Sequence, residues 1–206
     1  MKLYVVRHGE TPWNALKKVQ GTADISLNER GRELARVTGE ALKEVPFDLA
    51  ISSPLKRALE TARLVLGDRE VPIYTDRRIR EISFGEMEGT SLLEGAGGKF
   101  AETFQMFFRQ PENYRPPRGG ESLAHVCRRT GEFLDELLNR SEYEESTILI
   151  TSHGCAVRAM LQRFYRDDLG FWHGKVPPNC SVNIIEAHQG QASLTVEDMV
   201  LYNTKK

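Results

Sequence analysis

The sequence has almost no charge imbalance: 28 Lys and Arg stand against 29 Asp and Glu, a net of −1 at pH 7. That removes the broad basic surface that binding to nucleic acid or to an anionic membrane calls for, so neither is an expected partner. Any anion site must come from locally clustered arginines. Cysteine is scarce, with Cys127, Cys155 and Cys180 odd in number and far apart. This excludes a disulfide framework and a zinc site, and fits reduced thiols. No apolar run reaches 18 residues, and the N-terminus lacks a basic, long apolar signal segment. With no address to read, the expected compartment is the cytoplasm. There is no internal repeat and no low-complexity stretch.

What remains is ordinary for a globular chain: 40% hydrophobic and 28% charged residues over 206 positions. That length fits one domain, residues 1–206, with a sizeable core. Short apolar strands are expected at Leu3–Val6, Asp48–Ser52, Val71–Thr75 and Thr147–Thr151. Between them lie helical spacings. Asn28 caps a helix bearing Leu34, Thr38, Ala41, Leu42 and Val45, stopped by Pro46. Pro54 is placed at the first position of a second helix, which carries Leu55 to Leu66 and ends at Gly67. Ser122 opens a long helix with Val126, Thr130, Phe133, Leu134 and Leu137 on its apolar face. Val157, Met160, Leu161 and Phe164 place a helix directly after His153-Gly154. Pro12 to Ile25 reads as a loop, and Gln189-Gly190 as the turn of a closing hairpin. This alternation predicts an α/β fold: a three-layer α/β/α sandwich around a mainly parallel sheet of about six strands. Residues 88–118 are the least regular part and are expected to form a cap insertion over the sheet edge. Phe100, Phe104, Phe107 and Phe108 form one helical stripe there, expected to pack the cap rather than to line a substrate box.

The first strand delivers Arg7, His8 and Gly9 into a loop, at the sheet edge where open α/β sheets bind ligands. His153-Gly154 follows another apolar strand, so both histidines can converge there. Arg57 lies just after Ser53-Pro54, at a helix start whose free N–H groups favour an anion. His153-Gly154 opens a helix in the same way.

Arg7-His8-Gly9-Glu10-Thr11 with Asn14 resembles the signature of the histidine phosphatase superfamily, the phosphoglycerate-mutase-like fold. Further segments follow in the family's order: Gln20-Gly21, Leu27 to Gly31, Ser52-Ser53-Pro54 with Arg57 and Thr61. Glu81 with Phe84 to Gly89, Gly120-Glu121-Ser122 and His153-Gly154 complete them. The resemblance spans nearly the whole chain. It implies that His8 is a nucleophile that becomes a phosphohistidine, its tautomer fixed by a hydrogen bond from the other ring nitrogen to a backbone carbonyl. It implies that Arg7 and Arg57 clamp the phosphoryl oxygens, with His153 adding charge as an imidazolium. Glu81 is implied to be the general acid and then the base for water. Asn14, Gln20, Gly21 and Thr11 are implied to bind substrate, and no cofactor or metal is implied. Glu86 and Glu88 compete with Glu81 for its role, and Glu10 is a weaker, supporting candidate. His125, His173 and His188 match no motif. Phe84 to Gly89 looks like the phosphatase branch, where many members have Trp at the position of Met87; the mutases carry a longer basic and aromatic segment. The expected activity is hydrolysis of a small phosphomonoester, resembling α-ribazole phosphatases or broad-specificity phosphatases. Mutase-type phosphoryl transfer is the alternative, and a non-catalytic phospho-ligand binder the alternative of another class. Arg109, Arg115 and Arg118 are the cations the cap offers.

Overall fold

The computed structural model describes residues 1–92, 98–166 and 169–203. The part of the expected cap at residues 93–97 lies outside them. The described strands form one sheet in the order β3-β2-β4-β1-β5-β6. They are β1 (Lys2–Arg7), β2 (Leu49–Ser52), β3 (Ile73–Thr75), β4 (Thr147–Ser152), β5 (Val182–His188) and β6 (Gln191–Met199). β1, β2, β3 and β4 pair in parallel, and the β5–β6 hairpin adds two antiparallel members beside β1. The mainly parallel sheet of six strands is therefore as expected.

The helices are α1 (Pro12–Ala15), α2 (Glu29–Ala41), α3 (Lys56–Leu66), α4 (Ala101–Arg109), α5 (Leu123–Leu138) and α6 (Gly154–Leu161). Side chains alternate across a strand, and the two faces of β1 show it. Leu3 and Val5 pack with Phe133, Leu137, Val157 and Met160 of α5 and α6. Tyr4 and Val6 pack on the other face with Ala62, Val65 and Leu66 of α3. A third cluster joins the cap to these layers, with Phe84, Phe104, Phe107 and Trp172 against Val126 of α5 and Ala159 of α6.

Several boundaries differ from expectation. The loop from Pro12 contains α1, because Thr11 and Asn14 make a reciprocal capping box with Pro12 at the first position. Pro54 does not start α3: the Ser53 N–H still bonds Thr151 O of the sheet, and the helix begins at Lys56. α2 ends at Ala41 and α6 at Leu161, each passing into tighter turns before Val45 and Phe164. β3 is also shorter than the expected Val71–Thr75, keeping only Ile73–Thr75 at the edge of the sheet.

Candidate active site

Strand register brings the two histidines together. Arg7 pairs with Ser152 across β1 and β4, so His8 and His153 leave the sheet side by side. Their ring centroids are 5.1 Å apart. The turn after His8 needs glycine on both sides of a backbone crossing. A Cβ on Gly9 would lie 2.5 Å from Gly31 O, and one on Gly31 would lie 2.1 Å from Glu10 O.

Arg57 reaches both rings. Its Nε donates to His8 Nε2 at 3.3 Å and to His153 Nδ1 at 3.2 Å. These bonds assign the tautomers, because an arginine only donates. His8 Nε2 is an acceptor, so Nδ1–H donates to Gly9 O at 2.6 Å. His153 likewise donates from Nε2 to Ser53 Oγ at 2.7 Å. Burial, reinforced by the charge of Arg57, holds both imidazoles well below the ordinary histidine range. In the unliganded site, burial and the Arg57 charge both disfavour the imidazolium form of His153 that the resemblance implied. Arg57 is itself pushed down to about 10 by burial, and remains charged at neutral pH. Its Nη atoms are held by Ala23 O at 2.8 Å and Gly21 O at 2.6 Å.

Glu81 is 7% exposed. Its Oε1 accepts from Ile82 N at 3.0 Å and Ala156 N at 3.1 Å, and its Oε2 from Cys155 N at 3.2 Å. Burial raises its pKa against those N–H groups and against Arg57 and Arg7. Arg78, close in sequence, is spent on Asp76 and Glu136. The free N–H groups that open α6 are therefore taken by Glu81. Those of α3 meet Asp24, which accepts from Lys56 N at 2.8 Å. Both helix starts expected to favour an external anion already face a carboxylate of the chain.

The competing carboxylates are engaged elsewhere. Glu88 accepts from Thr22 N and Ala23 N at 2.8 and 2.7 Å, fixing the loop whose carbonyls hold Arg57. Glu86 pairs with Lys99, and Glu10 accepts from Asn28 Nδ2. Two expected substrate contacts are engaged within the chain. The Thr11 hydroxyl donates to Gln20 Oε1 at 2.6 Å, and Gly21 uses its carbonyl on Arg57.

A cavity of about 150 Å³ lies beside this cluster, lined by Arg7, Asn14, Gln20, Glu81 and Gly154, while His8, Arg57 and His153 are not part of its lining. Its remaining wall is apolar, with Phe84, Phe104, Phe107, Phe108 and Trp172, and Lys18 beside them. The aromatic stripe therefore packs the cap and lines the cavity at once. Among the described residues, Arg7 Nε and Gln20 Nε2 are buried donors without a hydrogen-bond partner. A larger groove, about 790 Å³, is lined by the second half of the cap, Arg109 and Arg115 included, and by none of the residues around His8. Size alone would pick the wrong place, and the expected cap arginines are absent from the catalytic cavity. No group of described His, Cys, Asp or Glu residues could hold a metal ion.

Four residues carried no sequence signal as site residues. Asn179 Nδ2 donates to the main-chain His8 O at 2.9 Å. Ser53 lay inside a recognised motif without an assigned role. Lys18 and Trp172 reach the cavity only through the fold.

Comparison with known proteins agrees with this arrangement. The family profile described as histidine phosphatase superfamily (branch 1) matches residues 3–198. The chain is 36% identical over 162 residues to a 2,3-bisphosphoglycerate-dependent phosphoglycerate mutase 2 from Gloeobacter violaceus, covering 77% of this chain and 73% of that one. It is 35% identical over 173 residues to phosphoserine phosphatase 1 from Hydrogenobacter thermophilus, covering 84% and 80%. The solved structure of Bacillus stearothermophilus YhfR superposes with a TM-score of 0.87 at 35% identity, covering 96% of each chain. The histidine pair, the arginine between them and a profile match over nearly the full length have one reading: the chain belongs to the histidine phosphatase superfamily, branch 1, and is a phosphomonoester hydrolase of it.

Proposed function

We propose that this hydrolase acts through a phosphohistidine on His8. The observation that carries this is the Nδ1–H bond to Gly9 O, which leaves Nε2 as the unprotonated ring nitrogen, its lone pair turned to the Arg57 Nε–H at 3.3 Å. Nε2 attacks phosphorus and the ester P–O bond breaks. Glu81, protonated, gives its proton to the leaving oxygen. Water then attacks phospho-His8, Glu81 takes the water's proton, and phosphate leaves with His8 regenerated. Arg7 and Arg57 bind the phosphoryl oxygens. Arg7 Nε and Gln20 Nε2, both buried without partners, are donors that such a group would satisfy. The incoming dianion also favours the charged form of His153, so the imidazolium role follows binding rather than preceding it.

Positioning and charge neutralisation account for most phosphoryl-transfer catalysis. Here the arginines take the place of a metal's charge. The aromatic wall supports an alcohol half that is mainly apolar, and a cavity of about 150 Å³ has room for a group of about benzene's size. The free thiols of Cys127, Cys155 and Cys180 support a cytoplasmic setting. Residues 88–118 act as a cap on the single domain 1–206.

The test is acid quench after brief mixing with p-nitrophenyl phosphate in EDTA. Acid-labile phosphate on His8 is expected in wild type and none in His8→Ala. Full turnover by His8→Ala, or a strict need for a divalent metal, would overturn the mechanism. Adding an alcohol acceptor separates hydrolysis from mutase-type transfer: inorganic phosphate remains the main product of a phosphatase.

A further inference from the structure

Glu121 matched the family pattern without a role, and Arg129 matched nothing. Both are buried: Glu121 is 8% and Arg129 5% exposed. Arg129 is buried on α5, about two turns past the Ser122 cap. An arginine has five N–H donors in a planar fork, and here all five are engaged. Nε and one Nη2 hydrogen grip Glu121 Oε1 and Oε2 at 2.7 and 3.0 Å. Nη1 donates to Arg78 O and Arg80 O at 2.5 and 2.7 Å. The second Nη2 hydrogen donates to Glu81 O at 3.2 Å.

Glu121 holds the same segment from its other side. Its backbone N–H bonds Ser83 O at 2.8 Å, and its Oε2 accepts from Ser83 N at 3.3 Å. The main-chain atoms of residues 78–83 are thus tied to the Glu121 and Arg129 side chains. Meanwhile the tip of the Glu81 side chain rests on the N–H groups that open α6. Glu81 is fixed at both ends, its backbone by the Glu121–Arg129 pair and its carboxyl by α6.

We propose that Glu121 and Arg129 are positioning residues that set the Glu81 carboxyl for proton transfer to the leaving oxygen. The proposal rests on Glu81 acting as the general acid. A buried pair that merely filled the core would need no carbonyls from three residues around one carboxylate. The fork is also what the task calls for. A lysine ammonium has three donors on one point, and cannot reach Glu121 and three carbonyls together. Misplacing a catalytic group by about 1 Å can cost about a hundredfold in rate.

The experiment compares alkyl phosphates with p-nitrophenyl phosphate in wild type, Glu81→Gln, Arg129→Lys and the double variant. Nitrophenolate leaves without a proton, so only alkyl esters depend on the acid. Arg129→Lys is expected to lower kcat/KM, which reports the steps up to phospho-His8 and not its later hydrolysis, on alkyl esters at least about tenfold more than on p-nitrophenyl phosphate. In the Glu81→Gln background it should add no further selective loss. Equal loss on both esters by Arg129→Lys, with Glu81→Gln still selective, overturns the positioning role and leaves the acid intact. A flat response in Glu81→Gln itself removes the acid, and the proposal with it. Should Arg129→Lys not fold, Glu121→Gln loosens the same grip from its partner and is read by the same ratio.

Discussion

The two ends of the cavity are built on opposite principles. At the sheet end the groups are polar, and nearly every one is held by another part of the chain. Arg57 alone ties His8, His153, Gly21 and Ala23 together. At the cap end the contacts are rings. Phe107 meets Phe84, Phe108, Tyr114 and Trp172 edge-on at 4.9–5.0 Å. Hydrogen bonds fix direction and distance, whereas ring packing fixes mainly volume and polarity. On the proposed mechanism the sheet end acts on phosphorus and the cap end selects the alcohol carried to it.

The sharpest way to break this contrast is Arg57→Ala. It removes a phosphoryl donor and the link between the two imidazoles at once. Loss of one donor from such a site costs about 10²–10³ in rate, and the fall should be alike for every ester tested. The measurement is kcat/KM across a leaving-group series. A loss confined to apolar esters would place Arg57 in specificity instead.

Phe108→Ala probes the other end with a smaller effect. Phe108 lines the cavity yet is 40% exposed, so its removal leaves little void. KM for naphthyl or phenyl phosphates should rise about tenfold. The kcat for p-nitrophenyl phosphate should hold, because His8 and Glu81 keep their partners. Equal changes for apolar and charged esters would mean the aromatic wall does not read the alcohol.

The same contrast explains what the sequence disclosed. The sheet end was legible because short apolar strands, glycine and charged residues recur at fixed spacings. The strands and helix starts placed Arg7, His8, Arg57 and His153 near one edge, whereas Glu81 was named by the resemblance alone. Protonation was not legible, since what disfavours a charged His153 is burial that only the folded chain creates. Nor was the occupant of each helix start: Glu81 lies 74 residues from the Cys155 N–H it accepts from. The cap was read least well, because aromatic rings at helical spacing pack and bind in the same pattern. α1 was missed although Thr11-Pro12-Trp13-Asn14 carries its capping signal, since four residues are too few for any periodicity.

The last prediction concerns pH and is the smallest. His8 and His153 have folded pKa values lowered by burial and by Arg57. Unfolded, each titrates near the ordinary value of about 6.5. Below that pH the unfolded chain binds protons that the folded chain refuses, so stability falls with falling pH. Glu81 has the opposite sign. Its folded pKa is raised, so the stability it contributes is complete below its unfolded value of about 4.5 and is lost as pH rises through the folded one. Wild type and His153→Asn share that contribution, and their difference isolates His153. The urea midpoint of wild type should therefore drop more steeply between pH 7 and pH 5 than that of His153→Asn. Inorganic phosphate should flatten the wild-type slope, because a dianion at Arg7 and Arg57 favours protonated His153. Parallel slopes in the two proteins, with and without phosphate, would show that His153 does not sense the anion and belongs with the scaffold of the sheet end.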